Sequence, residues 1–280
     1  MAPFQSAART LLTLAFWTPT IDAQEMNRNR VRYELTRATV LFTAGSFSPE
    51  EMGRFALLAD RGVADIDTLL NHPGPGPTLG PPITFVVRDR LSISRTVRRT
   101  ILLPADRVRR DAAPYLHEAT HILVPMNQEC LWLSEGFASY VQSYVAENIG
   151  GYDGYVFSWG GNRNIDRLAR RTLNSDHGRT ALPYVGAFDE PPDLFEKRRE
   201  VAQPLYILAH SLVKFMVDRT SLEKVTTLVQ SSDIAGSAER LTGKTIDAWK
   251  ALWLNMVNQP RAEVAATQKR DGSDPDGPAW

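Results

Sequence analysis

The chain has 280 residues, 43% of them hydrophobic, with 32 basic and 32 acidic side chains. That length can bury a sizeable core in one large domain or two small ones. The charge balance excludes a global electrostatic pull towards nucleic acid or an anionic membrane surface. The single cysteine, Cys130, excludes an intrachain disulfide and reads as a small buried apolar group.

The first 23 residues have a signal-like pattern. Arg9 precedes the apolar stretch 11–17, and Ala23 offers a small residue before Gln24. The expectation is an exported chain, periplasmic or extracellular; the alternative is a loosely packed N-terminal helix on a cytoplasmic one. No later stretch reaches the ~18 apolar residues that a membrane-spanning helix needs.

Residues 31–43 are rich in β-branched and aromatic side chains and predict a strand. Ser48-Pro49-Glu50-Glu51 then forms a capping box with proline at the first helical position. The helix behind it runs to Leu70, with Met52, Phe55, Ala56, Ala59, Val63 and Ile66 on its inner face. Residues 71–82 read as a Pro/Gly loop, 83–87 as a second strand and 97–103 as a third. Residues 100–103 are either a sheet edge bordering a cleft, where an extended peptide can pair, or an ordinary interior strand. The arginine-rich stretches 95–110 and 163–171 read as solvated faces or as a groove for an acidic partner.

His117-Glu118-Ala119-Thr120-His121 is the most informative segment. On a helix, positions i and i+4 sit about 40° apart around the axis and about 6 Å along it. Both imidazoles can therefore reach one metal at ~2.0–2.1 Å. Glu118, one residue along, flanks the metal and can take a proton from a metal-bound water. In a chain with five histidines, this pattern arises by chance about once in two hundred sequences, by composition arithmetic on the motif. Asp111 is a candidate cap for this helix and Pro125 its stop. A catalytic zinc needs a third protein ligand and an open position. Glu135, in Trp132-Leu133-Ser134-Glu135-Gly136-Phe137-Ala138-Ser139-Tyr140, is the candidate, with Ser134 reading as an N-cap. Phe137, Tyr140, Val141, Tyr144 and Val145 predict the core face of that helix, which Gly150-Gly151 ends.

Residues 151–200 are weakly patterned, apart from a short basic helix over 165–173. Helices are predicted over 203–219, 221–230 and 246–257, and a polar tail over 259–280 reads as disordered.

His117 to His121 followed by Leu131-Trp132-Leu133-Ser134-Glu135-Gly136-Phe137-Ala138 resembles the gluzincin branch of the zinc peptidases. It is more closely similar to small bacterial peptidase MA superfamily domains, related to the thermolysin-like catalytic domain. The likeness extends over residues 31–258, including Gly243-Lys244 through Trp249 and Trp253 at the C-terminal end. It implies Zn2+ held by His117, His121 and Glu135, with Glu118 as general base. The gap from His121 to Glu135 is shorter than in thermolysin-like and aminopeptidase gluzincins. The G-x-M-E-N segment of the large aminopeptidases is also missing, so a clamp for a free amino terminus is unsupported.

Amide hydrolysis passes through an oxyanion that needs a donor. The likeness places a tyrosine at the start of the downstream helix, and Tyr206 matches it; His177, His210, Tyr184 and the arginines of 163–171 stay open as alternatives. His210 also reads as a plain core or surface histidine. Ser139 stands where some relatives carry a carboxylate that orients a ligand histidine.

The expected fold is α+β. A small mixed sheet with one helix (31–112) precedes a mainly helical lobe (113–258), with the zinc cleft between them. The expected function is zinc-dependent hydrolysis of peptide or protein substrates, with no nucleic-acid partner and the oligomeric state open. The rival reading is a non-catalytic zinc-containing module that binds peptide or wall material.

Overall fold

The computed structural model describes residues 30–70, 80–126, 130–152, 161–188 and 199–259. The signal-like segment and the polar tail beyond residue 259 lie outside these residues.

The fold is α+β, with a five-stranded mixed sheet followed by a mainly helical region. The single strand expected over 31–43 proves to be two, β1 (Arg30–Glu34) and β2 (Ala38–Thr43), folded back on each other antiparallel in the register Arg30↔Thr43 to Glu34↔Thr39. Along β2 the buried residues are Ala38, Val40 and Phe42, the period-2 alternation of a strand with one face in the core. The chain then enters α1 (Pro49–Leu70) through the expected capping box. The Ser48 hydroxyl accepts from the Glu51 backbone N–H at 3.2 Å, and the Glu51 carboxylate accepts from the Ser48 N–H at 2.8 Å. The buried stripe of α1 covers the sheet with Met52, Phe55, Ala59, Val63 and Ile66.

After α1 the chain returns in β3 (Ile83–Arg88), parallel to β2. The expected strand over 97–103 proves to be a hairpin of β4 (Arg95–Val97) and β5 (Thr100–Pro104), turning at Arg98-Arg99. The strand order is β1-β2-β3-β5-β4. The reason lies in composition. Ile101, Leu102, Leu103 and Pro104 are buried without alternation, as a strand covered on both faces requires. The short polar β4 suits an edge. Residues 100–103 are therefore interior, and β4 borders the cleft.

The helical part runs α2 (Ala105–Arg109), α3 (Tyr115–Leu123), α4 (Leu131–Tyr144), α5 (Gly161–Leu173), α6 (Asp176–Ala181), α7 (Arg199–Arg219), α8 (Leu222–Val229), α9 (Ile234–Thr242) and α10 (Ile246–Asn258). Helix α4 runs on into a π turn, Val145–Ile149, and Gly150 and Gly151 at φ 77° and 76° end it as expected. Four further caps are in place: Ser175 accepts from Gly178 N–H, Ser221 from Lys224 N–H, Asp233 from Gly236 N–H and Thr245 from Ala248 N–H. Helices α2, α6 and α9 were not expected; all three are short and rich in small or polar residues, which weakens the periodic signal.

Two expected caps do not form. Asp111 sits at φ 51° and pairs with Arg54 at 3.1 Å instead; Pro114 occupies the cap position of α3. Ser134 lies inside α4, one turn beyond its start at Leu131, and its hydroxyl donates to the Leu131 carbonyl at 3.1 Å. Glu135 is thus in the second turn, where the helix dipole no longer explains it. One continuous core joins sheet and helices. An edge-to-face chain of rings from Phe42 to Phe55 (6.1 Å) to Tyr115 (5.5 Å) ties β2 to the first residue of α3. The position of α3 is in this way set by the sheet core.

Candidate metal centre

Two helices build the site. On α3, Tyr115, Leu116, Ala119 and Thr120 are buried, which fixes the helix's rotation and points His117 and His121 at α4. Val124 is extended before Pro125, and α3 stops at Leu123. On α4, Trp132, Leu133, Phe137, Ala138 and Val141 are buried, and Glu135 projects from the face turned to α3. The connection over 127–129 lies outside the described residues.

The three side chains converge. His117 Nε2 lies 3.0 Å from Glu135 Oε2, His121 Nε2 lies 3.2 Å from His117 Nε2, and His121 Nε2 lies 3.6 Å from Glu135 Oε1. One ligand atom from each falls within 4.8 Å of the others, a grouping that could hold a metal ion. Donor atoms at the corners of a tetrahedron around zinc, with bonds of ~2.0–2.1 Å, are about 3.3 Å apart. The observed separations bracket that value, and the set of two imidazole nitrogens and one carboxylate oxygen suits zinc.

The electrostatics agree. Burial opposes ionisation of Glu135, yet His121 and His117 beside it hold the carboxyl well below the usual carboxylate range. Burial likewise works against a charged His121, but the Glu135 carboxylate outweighs it and raises that imidazole's affinity for a proton. Both shifts favour an ionised carboxylate at the centre of the group.

Two side chains on α4 hold His117. The Gln142 carbonyl accepts the His117 backbone N–H at 3.0 Å, satisfying a donor that the first turn of α3 cannot pair. Ser139 Oγ lies 3.4 Å from His117 Nδ1, the place where a group orienting the ring is expected. Both residues are buried.

A cleft of about 460 Å³ opens over these three side chains. Its floor carries His117, Glu118, His121, Glu135 and Tyr206, and its far wall is the β4 hairpin, with Ser94, Arg95, Thr96 and Arg98. The Thr96 hydroxyl donates to Glu118 Oε2 at 2.5 Å, which holds the carboxylate beside His117 and leaves Oε1 for other partners.

Tyr206 comes from α7, and its ring centre lies 6.2 Å from that of His117. Burial first, and then the Glu135 carboxylate to which its hydroxyl donates, push the phenol well above its ordinary value, so it stays a protonated donor. Helices α4 and α7 approach unusually closely here. A Cβ at Gly136 would stand 2.7 Å from the Ala209 carbonyl oxygen, so glycine is what lets the neighbours Glu135 and Tyr206 share one cleft.

The other donor candidates lie elsewhere. His210 is buried beneath the site and donates from Nε2 to Asn162 Oδ1 at 2.6 Å; it is not part of the ligand group. Burial, with His117 and Lys214 adding to it, pushes its pKa down to about 3, so it is a neutral core histidine. His177 is exposed on α6, and neither it nor Tyr184 lines the cleft. In the 163–171 stretch, Arg170 donates to the Val257 and Gln259 carbonyls and Arg167 to Asn164, away from the cleft.

Sequence reasoning missed Thr96 and Gln142. Thr96 carries no local signal, since its role depends on which strand takes the edge. Gln142 had a weak one: it lies seven residues beyond Glu135, on the same face of a helix whose other inward residues are mostly apolar.

Comparison with protein-family models finds no match, and a search of curated proteins finds no relative. Among solved structures, an M1 zinc metallopeptidase from Deinococcus radiodurans overlaps 83% of this chain and 52% of its own length, at 16% identity and a TM-score of 0.44. A mutant of a two-domain M1 zinc metallopeptidase bound to L-arginine overlaps 81% of this chain and 51% of its own, at 16% identity and a TM-score of 0.48. The chain spans about half the length of these proteins. Overlap this loose does not carry their activity across, so the functional case rests on the cleft itself.

Proposed function

We propose that this chain is a gluzincin-type zinc hydrolase that cleaves peptide bonds in the cleft between the β4 hairpin and helices α3, α4 and α7. The observation that carries this reading is the pairing of a ligand set with a separate, positioned base. A purely structural metal site has no use for Glu118, and Thr96 no reason to hold it.

His117, His121 and Glu135 would hold the ion. When bound, zinc supplies a Lewis acid that acidifies water and polarises a carbonyl. The remaining work falls to the chain's own groups. Glu118, anchored through Oε2, takes the proton from the attacking water on Oε1 and later passes it to the leaving amine. Tyr206, kept protonated, donates to the oxyanion that develops on the former carbonyl oxygen. Ser139 and Gln142 hold His117 in place through both steps. No helix among the described residues is long and apolar enough to cross a membrane. Export of the chain belongs to the same reading and is carried by the signal-like N-terminus.

Glu118→Gln tests the mechanism. The variant is expected to bind one zinc per chain by elemental analysis and to lose at least a hundredfold of chelator-sensitive peptide hydrolysis, the usual scale for removal of a general base. Retained activity would refute the mechanism. If a broad peptide library shows no chelator-sensitive cleavage by the wild type, the non-catalytic binding module takes its place.

A further inference from the structure

The arginine-rich stretch 95–110 holds Arg95, Arg98, Arg99, Arg107, Arg109 and Arg110, and the structure sorts them. Arg99 donates to the Pro81 carbonyl at 2.6 Å, Arg109 to Asp89 at 3.2 Å and Arg110 to Asp106 at 2.5 Å. Arg107 lies on α2 and does not line the cleft. Arg95 and Arg98 are exposed, make no hydrogen bond or ion pair with any described residue, and both line the cleft wall facing Glu118 and Glu135.

Local structure does not account for Arg98. It is the first residue of the two-residue turn between β4 and β5, at φ 55°, a position that favours glycine, asparagine or aspartate. An arginine held there in an unfavourable conformation points to a task for its side chain. Beside it, the buried Ser94 hydroxyl finds no partner among the described residues, and a turn about χ1 can offer it to a ligand.

The charges settle the sign of that ligand. Glu118 and Glu135 bring two negative charges to the cleft, and a divalent ion in the ligand set balances both. Among the described residues the two guanidiniums then stand uncompensated, and the wall attracts an anion. A guanidinium fork matches the planar, two-oxygen geometry of a carboxylate.

We infer that Arg98 and Arg95 form a carboxylate-binding subsite on the β4 wall, and that the preferred substrates are peptides carrying a carboxylate, an acidic side chain or a free C-terminus, beside the bond to be cut. This rests on reading the cleft as a peptide-hydrolysing site.

Calorimetric titration of zinc-loaded Glu118→Gln, which leaves peptides intact, tests the subsite by affinity alone. Four N-acetylated peptides of one sequence are compared, with glutamate or glutamine at one internal position and a free or amidated C-terminus. The expected result is about tenfold tighter binding of a carboxylate-bearing peptide than of the fully neutral one. The arm that restores the gain identifies the source as side chain or terminus. Adding Arg95→Gln and Arg98→Gln should erase the preference while zinc content and melting temperature hold. Equal affinities for all four peptides, no measurable binding of any, or a preference that survives both arginine substitutions would each overturn the subsite. A wild type that binds with this preference yet cleaves none of the peptides would instead sink the hydrolase reading and leave the subsite standing.

Discussion

Gly136→Ala sets two physical effects of opposite sign against each other. Gly136 lies inside α4, where alanine is intrinsically favoured over glycine by about 1 kcal/mol. An added Cβ would, however, stand 2.7 Å from the Ala209 carbonyl oxygen, 2.8 Å from its carbon and 3.0 Å from a Val213 methyl. Ordinary carbon contacts need ~3.5 Å or more, so α4 and α7 must part by roughly 0.5–1 Å. Two of the three clashing atoms are backbone and cannot turn aside. Contact with fixed backbone places the overpacking cost in the upper half of its usual range, about 2–3 kcal/mol, so packing should win, leaving a net destabilisation of about 1–2 kcal/mol and a fall in melting temperature of roughly 2–8 °C for a domain of this size. Gly53→Ala is the internal control: it too lies within a helix, α1, and a Cβ there meets nothing within 4 Å. That substitution should raise stability by up to about 1 kcal/mol through propensity alone. Thermal and urea unfolding of both variants, with elemental analysis of zinc, gives the comparison. Gly136→Ala should also bind zinc more weakly, because Glu135 is its neighbour. If Gly136→Ala stabilised the protein as Gly53→Ala does, the close approach of α4 and α7 would be refuted, and with it the route by which Tyr206 reaches the cleft.

Other expectations concern the base, acid stability and the metal. Thr96→Val removes the hydroxyl that holds Glu118 while keeping the shape; kcat should fall about tenfold with KM little changed, whereas Thr96→Ser should restore most of it, and equal kcat in both variants would deny Thr96 its positioning role. His210 is neutral in the folded protein, with a pKa of about 3 against an ordinary 6.5. As pH falls below 6.5 the unfolded chain takes up a proton that the folded chain refuses, so the stability this group permits is complete above pH 6.5 and is lost progressively down to about 3. Between pH 6.5 and 5 that loss is about 2 kcal/mol. It should appear in urea titrations of the metal-free protein as a stability gap between wild type and His210→Gln that narrows by this amount, and a gap independent of pH would contradict a neutral His210. Zinc at a thousand times its dissociation constant should add about 4 kcal/mol, raising the melting temperature by roughly 8–16 °C. Chelation should reverse that shift and Glu135→Gln should shrink it; no zinc-dependent shift in the wild type would argue against the ligand set.

The sequence by itself determined what depends on short spacing. His117 and His121 share a helix face because i and i+4 always do, and the capping box at Ser48 and Glu51 works within one turn. Glu135 could be picked out because a zinc held by two histidines needs a third ligand, and because the segment Trp132 to Ala138 resembles the gluzincin pattern that supplies it. Periodicity located the strand-rich and helical stretches but not every break: turns split the expected strand over 31–43 into β1 and β2 and that over 97–103 into β4 and β5, and the short helices α2, α6 and α9 carried no clear periodic signal. The expected caps at Asp111 and Ser134 failed for a related reason: each residue has the right chemistry, but Arg54 claims the first and α4 begins one turn before the second.

Only the tertiary structure decided who meets whom across the cleft. Thr96 reaches Glu118 because β4 occupies the sheet edge, Tyr206 reaches Glu135 because Gly136 lets α7 approach, and His210, chemically as able a ligand, is turned away to Asn162. These pairings join residues 22 positions apart for Thr96 and Glu118, 48 for Asn162 and His210, and 71 for Glu135 and Tyr206. They depend on strand order, helix rotation and interhelical distance, which come from the packing of the whole core and leave no periodic trace in the residues themselves.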